Sequence, residues 1–270
     1  MRRRVYNAAV SKKQTHPTGI SGCPECNGSG WIRLVKDGIA GVQRCDCFRQ
    51  ARVERLIVNA RIPSRYTHCE LKNFDLNEKL TTKSIEFAKL AAEAFVDEFP
   101  SSTPIGLLFM GPQGVGKTHL AVGIIKALMK RKAVPCMFRA FPELLKEIQM
   151  SYSPISESSE LFLLAPVLET DVLVLDELGS QTPSTWVKDT VSYVLNHRYS
   201  ENKVTIFTTN YLDGEDPMST RKGVFYSLRD RIGDQMRSRL YEMCKTIVMA
   251  GNDFRQNIMD AEYRQFKKGR

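Results

Sequence analysis

The run Ile105-Gly-Leu-Leu-Phe-Met-Gly-Pro-Gln-Gly-Val-Gly-Lys-Thr118 decides the fold. Ile105 to Met110 is apolar enough for a buried strand, Gly111 to Thr118 breaks it, and Leu120 to Met129 resumes with helical spacing. The break fits G-x-x-x-x-G-K-[ST], in which glycines let successive amides curl around phosphate oxygens and the next helix adds its positive end. Gly111, Pro112, Gln113, Gly114, Val115, Gly116, Lys117 and Thr118, with His119 beside them, are therefore the expected nucleotide-binding set. In that set Lys117 reaches the β- and γ-phosphates, and the Thr118 hydroxyl holds Mg²⁺.

Downstream, Asp171-Val-Leu-Val-Leu-Asp-Glu177 reads as a strand buried on both faces that ends in two carboxylates. Open α/β sheets place ligands at such strand ends. Asp176 is the expected Mg²⁺ partner, and Glu177 the group that orients and polarises an attacking water. The adjacent pair favours hydrolysis over transfer to a small acceptor. A further strand, Val204 to Thr209, ends in Asn210, an amide placed to hold the water or report hydrolysis. Cys136 to Ala140 reads as a strand, Pro142 to Gln149 as a helix opened by proline, and Ser151 to Ser159 as an exposed loop. Upstream, Thr81 to Phe99 has a helical apolar stripe (Ile85, Ala88, Ala92, Phe95) and leads into this domain. Beyond Leu228 come Arg229, Arg231, Arg237, Arg239 and Arg255. Arginine suits a permanent planar grip on a γ-phosphate, but position alone does not say which of them makes it.

The amino-terminal stretch has a different chemistry. Cys23-Pro-Glu-Cys26 and Cys45-Asp-Cys47 flank two β-like runs, Trp31 to Val35 and Ile39 to Arg44, joined at Asp37-Gly38. A hairpin there brings the two cysteine pairs together, and Cys23, Cys26, Cys45 and Cys47 match the closed shell of a structural Zn²⁺. A redox-active thiol pair is the competing reading. Cys69, Cys136 and Cys244 stand singly and read as buried thiols. Phe48 to Ala60 is expected to be a helix with Val53, Leu56, Ile57 and Ala60 on one face and Arg49, Arg52 and Arg55 on another.

A chain of 270 residues, 42% of them hydrophobic, accommodates one α/β domain and a small extra module. The expected division is 1–70, a zinc module with a basic helix, and 71–270, a P-loop domain with a parallel sheet flanked by helices. The net charge of +9 is uneven: residues 1–70 hold thirteen Lys/Arg against five Asp/Glu, and 218–270 twelve against six. Basic ends point to a polyanion partner or to a solubility device. No apolar run reaches the ~20 residues of a membrane span, and Met1-Arg-Arg-Arg4 leads into polar sequence, so a cytoplasmic protein is expected.

The order of motifs resembles the AAA+ ATPases, and among them the bacterial helicase loaders of the DnaC and DnaI type together with the transposition helper IstB. Gly111 to Thr118, Asp176-Glu-Leu-Gly179, Asn196-His-Arg-Tyr199, Thr208-Thr-Asn210, Arg237-Ser-Arg-Leu240 with Glu242, and Gly251 to Arg255 carry the resemblance, over about residues 48 to 257. It implies Walker A for Gly111 to Thr118, Walker B for Asp176 and Glu177, sensor 1 for Asn210, an arginine finger for Arg239 and sensor 2 for Arg255. Gly233 to Arg237 looks like a small insertion in the finger region, so Arg231 and Arg237 remain rivals to Arg239. The loader resemblance implies ATP, Mg²⁺ and Zn²⁺ as cofactors. Its implied partners are a replicative helicase of the DnaB-type hexamer, single-stranded DNA passing near Lys146 and Tyr152, and further copies of the chain joined when ATP is bound. The alternatives are a transposition helper acting on duplex DNA with a transposase, and a zinc adaptor switched by ATP with little turnover.

Overall fold

Leu107 and Phe109 face one side of their strand, Leu108 and Met110 the other, and this period of two builds two cores. The computed structural model describes residues 20–36, 39–76, 81–103, 105–152, 160–213 and 227–255. The expected turn at Asp37-Gly38, the Met1-Arg-Arg-Arg4 start and residues 153–159 of the serine-rich stretch lie outside them. The chain divides into two compact units, 1–55 and 56–270.

In the first unit, β1 (Trp31–Lys36) and β2 (Ile39–Arg44) pair antiparallel, Trp31 opposite Arg44. The Arg44 guanidinium lies 3.6 Å from the Trp31 ring centroid and 4.2 Å from that of Phe48. The boundary between the units falls within α1 (Asp46–Asn59), on which Arg49, Arg52 and Arg55 are exposed.

In the second unit, β3 (Gly106–Met110), β4 (Cys136–Ala140), β5 (Val172–Asp176), β6 (Val204–Thr209) and β7 (Cys244–Val248) form a parallel sheet in the order β4-β5-β6-β3-β7. One face of the sheet carries α2 (Lys83–Glu98) and α3 (Lys117–Lys132), on which Leu120, Ile124, Ile125 and Leu128 are fully buried. Each such side chain contributes roughly 1.5–3 kcal/mol relative to exposure. The other face packs α4 (Phe141–Ser151), α5 (Glu160–Glu169), α6 (Thr185–Ser200), α7 (Leu228–Ile232) and α8 (Asp234–Met243). The result is a three-layer α/β/α arrangement.

Residues 56–70, read from sequence with the zinc module, pack into the second unit together with 71–74. Ala60, Cys69, Leu71 and Phe74 join the core around α3, and the Phe138 amide donates to the Ala60 carbonyl at 2.7 Å. Their apolar side chains need the sheet as a partner, and no periodic run announced it. Ser151, expected to open a loop, instead ends α4. Arg198, fully buried, ties the second face together by donating to the carbonyls of Val167, Leu168, Thr170 and Val204 and to Thr205 Oγ1. Three of those carbonyls belong to the end of α5 and the residue after it, which would otherwise lack partners.

Candidate active site

Strand order brings the expected residues to one edge. β3 lies beside β6, with Met110 opposite Thr209, and β5 lies beside β6, with Leu175 opposite Phe207. The phosphate loop, Asp176-Glu177 and Asn210 therefore leave neighbouring strands at their carboxyl ends, where this sheet class places its ligands. A cavity of about 620 Å³ opens there. Gln113, Gly114, Gly116, Lys117, Thr118, His119, Glu177, Thr208, Asn210 and Arg255 contribute to its wall.

The loop needs its glycines for space as well as for backbone angle. Gly116 sits at φ +98°, and a Cβ there would lie 2.5 Å from the Phe74 ring. Gly114 sits at φ +77°, and a Cβ there would lie 1.8 Å from Asp253 Oδ1. The Gly114 carbonyl accepts from the Phe254 amide at 3.2 Å, so the loop is bonded to the segment that carries Arg255. The Lys117 ammonium donates to the carbonyls of Gly111 (2.8 Å) and Pro112 (2.6 Å). Burial, with a smaller push from Arg255, lowers its pKa to about 8. The amine still carries its charge at neutral pH.

Asp176 is buried at the end of β5, where Oδ1 accepts from the hydroxyls of Thr118 (2.9 Å) and Thr208 (2.6 Å). Burial raises its carboxyl above the usual range, and the two hydroxyls oppose that shift. The Thr208 hydroxyl oxygen in turn accepts from the Glu177 amide at 3.0 Å, which holds Glu177 at φ +60°. The Leu178 amide donates to the Thr208 carbonyl (2.8 Å), and Thr209 Oγ1 donates to the Leu178 carbonyl (2.8 Å). Thr208 and Thr209 thus fasten the two-carboxylate turn to β6. Sequence reasoning gave neither a role, although two hydroxyls on a strand with both faces buried are a detectable signal. Arg65, Tyr66, His68, Cys69 and Asn73 also line the cavity without having been anticipated.

The arginines separate clearly. Arg255 lines the cavity, whereas Arg231, Arg237 and Arg239 do not. Arg237 is 1% exposed; its Nε and Nη2 pair with the two carboxylate oxygens of Asp213, each at 2.5 Å, and its guanidinium stacks 3.6 Å from the Tyr241 ring. Arg239 is half-buried, 4.3 Å above the Tyr199 ring. Arg231 lies 4.4 Å over Tyr211 and donates to the Gln181 carbonyl.

In the first unit, Cys23, Cys26, Cys45 and Cys47 converge, with all four sulfurs within 4.8 Å of one another. Cys23–Cys45 measures 3.7 Å and Cys26–Cys47 3.3 Å, with no disulfide. Tetrahedral Zn²⁺ with four thiolates sets sulfurs roughly 3.8 Å apart, so the cluster fits such an ion. The Gly30 amide points at Cys26 Sγ (3.3 Å). Although desolvation works against it, the hydrogen bonds of Cys47 and Gly30 lower that thiol to about 6. Among the described residues no helix is long and apolar enough to cross a membrane.

The sequence profile of the IstB-like ATP binding proteins matches residues 42–260. The replicative helicase loader DnaC of Buchnera aphidicola subsp. Acyrthosiphon pisum is 26% identical over 219 residues, covering 81% of this chain and 78% of its own. The protein YqaM of Bacillus subtilis is 22% identical over 213 residues, covering 77% of this chain, which spans 62% of YqaM's length. Among solved structures, the crystal structure of the DnaC helicase loader superposes with a TM-score of 0.58 at 33% identity, covering 69% of this chain and 99% of that one.

Proposed function

The chain belongs to the IstB-like ATP-binding protein family and resembles its DnaC/DnaI-type loaders, and from that premise we propose that it is an ATPase that loads a replicative helicase onto single-stranded DNA. The observation that carries the catalytic half is the linked set Thr118, Asp176, Thr208 and Glu177 at the mouth of a cavity lined by Lys117, Asn210 and Arg255.

ATP and Mg²⁺ supply the reacting phosphoryl group and its counter-charge; the chain's own residues hold and align them. The backbone amides of Gln113 to Thr118 would cradle the phosphates, with His119 at the edge of the set, and Lys117 would exchange its loop carbonyls for phosphate oxygens. Thr118 and Asp176, already bonded to each other, are the pair that would hold the metal. Glu177 would orient and polarise the attacking water by accepting a hydrogen bond from its O–H on the carboxylate, and Asn210 would fix the water's position. Arg255 reaches the γ-phosphate from the same chain. Arg239, outside its own cavity, is suited to complete the site of a neighbouring copy, and so is Arg231. The bidentate pairing of buried Arg237 with Asp213 favours neither movement nor reach.

The first unit carries the four-cysteine cluster, read as a structural zinc site that gives folding energy to a segment too small for its own core. Its hairpin leaves Leu34 and Ile39 exposed on one side and Val35 and Val42 on the other, apolar surface suited to docking the helicase. Lys146 and Tyr152, exposed at and just beyond α4, are placed for DNA, and the protein acts in the cytoplasm.

Native mass spectrometry of the full chain with its host's hexameric helicase, ATP and Mg²⁺, tests the reading. Several copies on one hexamer, retained longer by Glu177→Gln, are expected. A chain that hydrolyses ATP and binds a transposase on duplex DNA, with no helicase complex in either form, would overturn it.

A further inference from the structure

We propose that His68, Cys69 and His119 form a binding site for a borderline transition-metal ion of the Zn²⁺ class, distinct from the four-cysteine cluster. One ligand atom from each of the three lies within 4.8 Å of the others. Cys69 Sγ is 3.7 Å from His68 Nε2. A tetrahedral Zn²⁺ with ordinary Zn–S and Zn–N lengths holds sulfur and nitrogen roughly 3.6 Å apart, so this pair needs almost no rearrangement. Two imidazoles and a thiolate select zinc, cobalt, nickel or copper over the Mg²⁺ of the phosphate site.

The surroundings orient one ligand in advance. His119 Nε2 lies 3.0 Å from the Glu70 carbonyl and 3.0 Å from Asn73 Oδ1. The Asn73 amide is itself fixed, because its Oδ1 accepts from the Glu70 amide and its Nδ2 donates to the His68 carbonyl. Both partners of Nε2 are therefore acceptors, which places the hydrogen on Nε2 and leaves Nδ1 with the lone pair. Metal-ligating histidines are held in this way, by an outer acceptor on the second nitrogen. Burial raises the Cys69 thiol, and the Lys126 ammonium partly offsets that; an incoming ion displaces the proton.

The location gives the ion a structural consequence. His119 follows Thr118 in the first turn of α3, whereas His68 and Cys69 precede the short turn at Leu71–Asn73. An ion would clamp that segment to the start of α3, and all three residues line the same cavity as the phosphate loop. Three protein ligands leave a fourth position for water or a bound molecule.

The test counts zinc ions per chain by native mass spectrometry, on the full-length protein equilibrated with graded free Zn²⁺, beside His68→Ala and Cys69→Ser. His68 is exposed, so its truncation leaves the core intact, and the charge-state distribution reports folding in the same spectrum. We expect each variant to carry one ion fewer than the parent. Its affinity at this site should fall by at least the roughly 10–100-fold that loss of an outer partner causes. Equal ion counts in the parent and in a folded His68→Ala or Cys69→Ser variant, at every Zn²⁺ concentration, would overturn the proposal.

Discussion

Replacing Thr208 by valine keeps the volume of a side chain that is 1% exposed and removes only its hydroxyl. Two bonds go with it, the 2.6 Å donation to Asp176 and the 3.0 Å acceptance from the Glu177 amide. A hydrogen bond to a charged group contributes about 1.5–3 kcal/mol, and a stranded buried amide costs about 1–3 kcal/mol. Allowing for partial relaxation, we expect a loss of roughly 2–4 kcal/mol, which in a unit of this size lowers Tm by roughly 5–15 °C. If the hydroxyl positions the metal-holding carboxylate and the water-activating residue, kcat for ATP hydrolysis should fall on the order of 10–100-fold, or about 1.4–2.7 kcal/mol of barrier.

The pH profile separates that role from simple destabilisation. Burial raises the Asp176 carboxyl and the Thr208 hydroxyl lowers it, so removing the hydroxyl raises it further. The carboxylate is the form that would hold Mg²⁺, so activity should be lost as pH falls through this pKa. That acidic limb should therefore move to higher pH in Thr208→Val. Thr208→Ser, which keeps the oxygen, should retain the parent profile. A Thr208→Val protein with parental kcat and an unmoved acidic limb would refute the reasoning, whatever its Tm.

Three further outcomes follow from the same geometry. Removing Arg237 takes the bidentate partner from Asp213, whose side chain is 32% exposed and can be hydrated, so Arg237→Ala should lose roughly 1–3 kcal/mol in denaturant titration, whereas Arg239→Ala should keep its stability and lose only the ATP turnover of assembled copies. Because the Lys117 amine gives up its proton near pH 8, ATP affinity measured by calorimetry should weaken as pH rises from 7 to 9; a flat profile would mean that the charge is not used. Chelation of the four-cysteine cluster should make residues 20–55 sensitive to protease while ATP binding by residues 56–270 persists, and a resistant first unit would argue against a structural metal.

The phosphate loop and the two-carboxylate strand were readable because a run of apolar residues ending in glycine or acid has few other structural solutions. The strand ends that meet in space were also the strand ends marked by polar residues in sequence. Other elements were hidden for identifiable reasons. Pro166 inside α5 reads as a breaker, and β7 is short and follows a run of arginines. In α6 the apolar positions Val191, Val194 and Leu195 had helical spacing and Ser184 capped its start, so that helix was legible and was passed over. The wall formed by Arg65 to Asn73 was not legible, because those residues gain their place from packing beside α3 and β4 and not from any local pattern. The choice among the arginines likewise needed the third dimension: Asp213, far from Arg237 in sequence, takes up that side chain.

The interior strand β3 has the edge strand β7 as one of its two neighbours, and the phosphate loop that follows β3 is bonded to Phe254. Both partners are made after the other four strands of the sheet. A chain still on the ribosome, with emergence complete only to Met243, has its glycines, its lysine and both catalytic carboxylates outside the tunnel, yet lacks the strand and the amide that shape the loop. Nucleotide capture is therefore expected to begin only when the stretch through Arg255 is free of the tunnel.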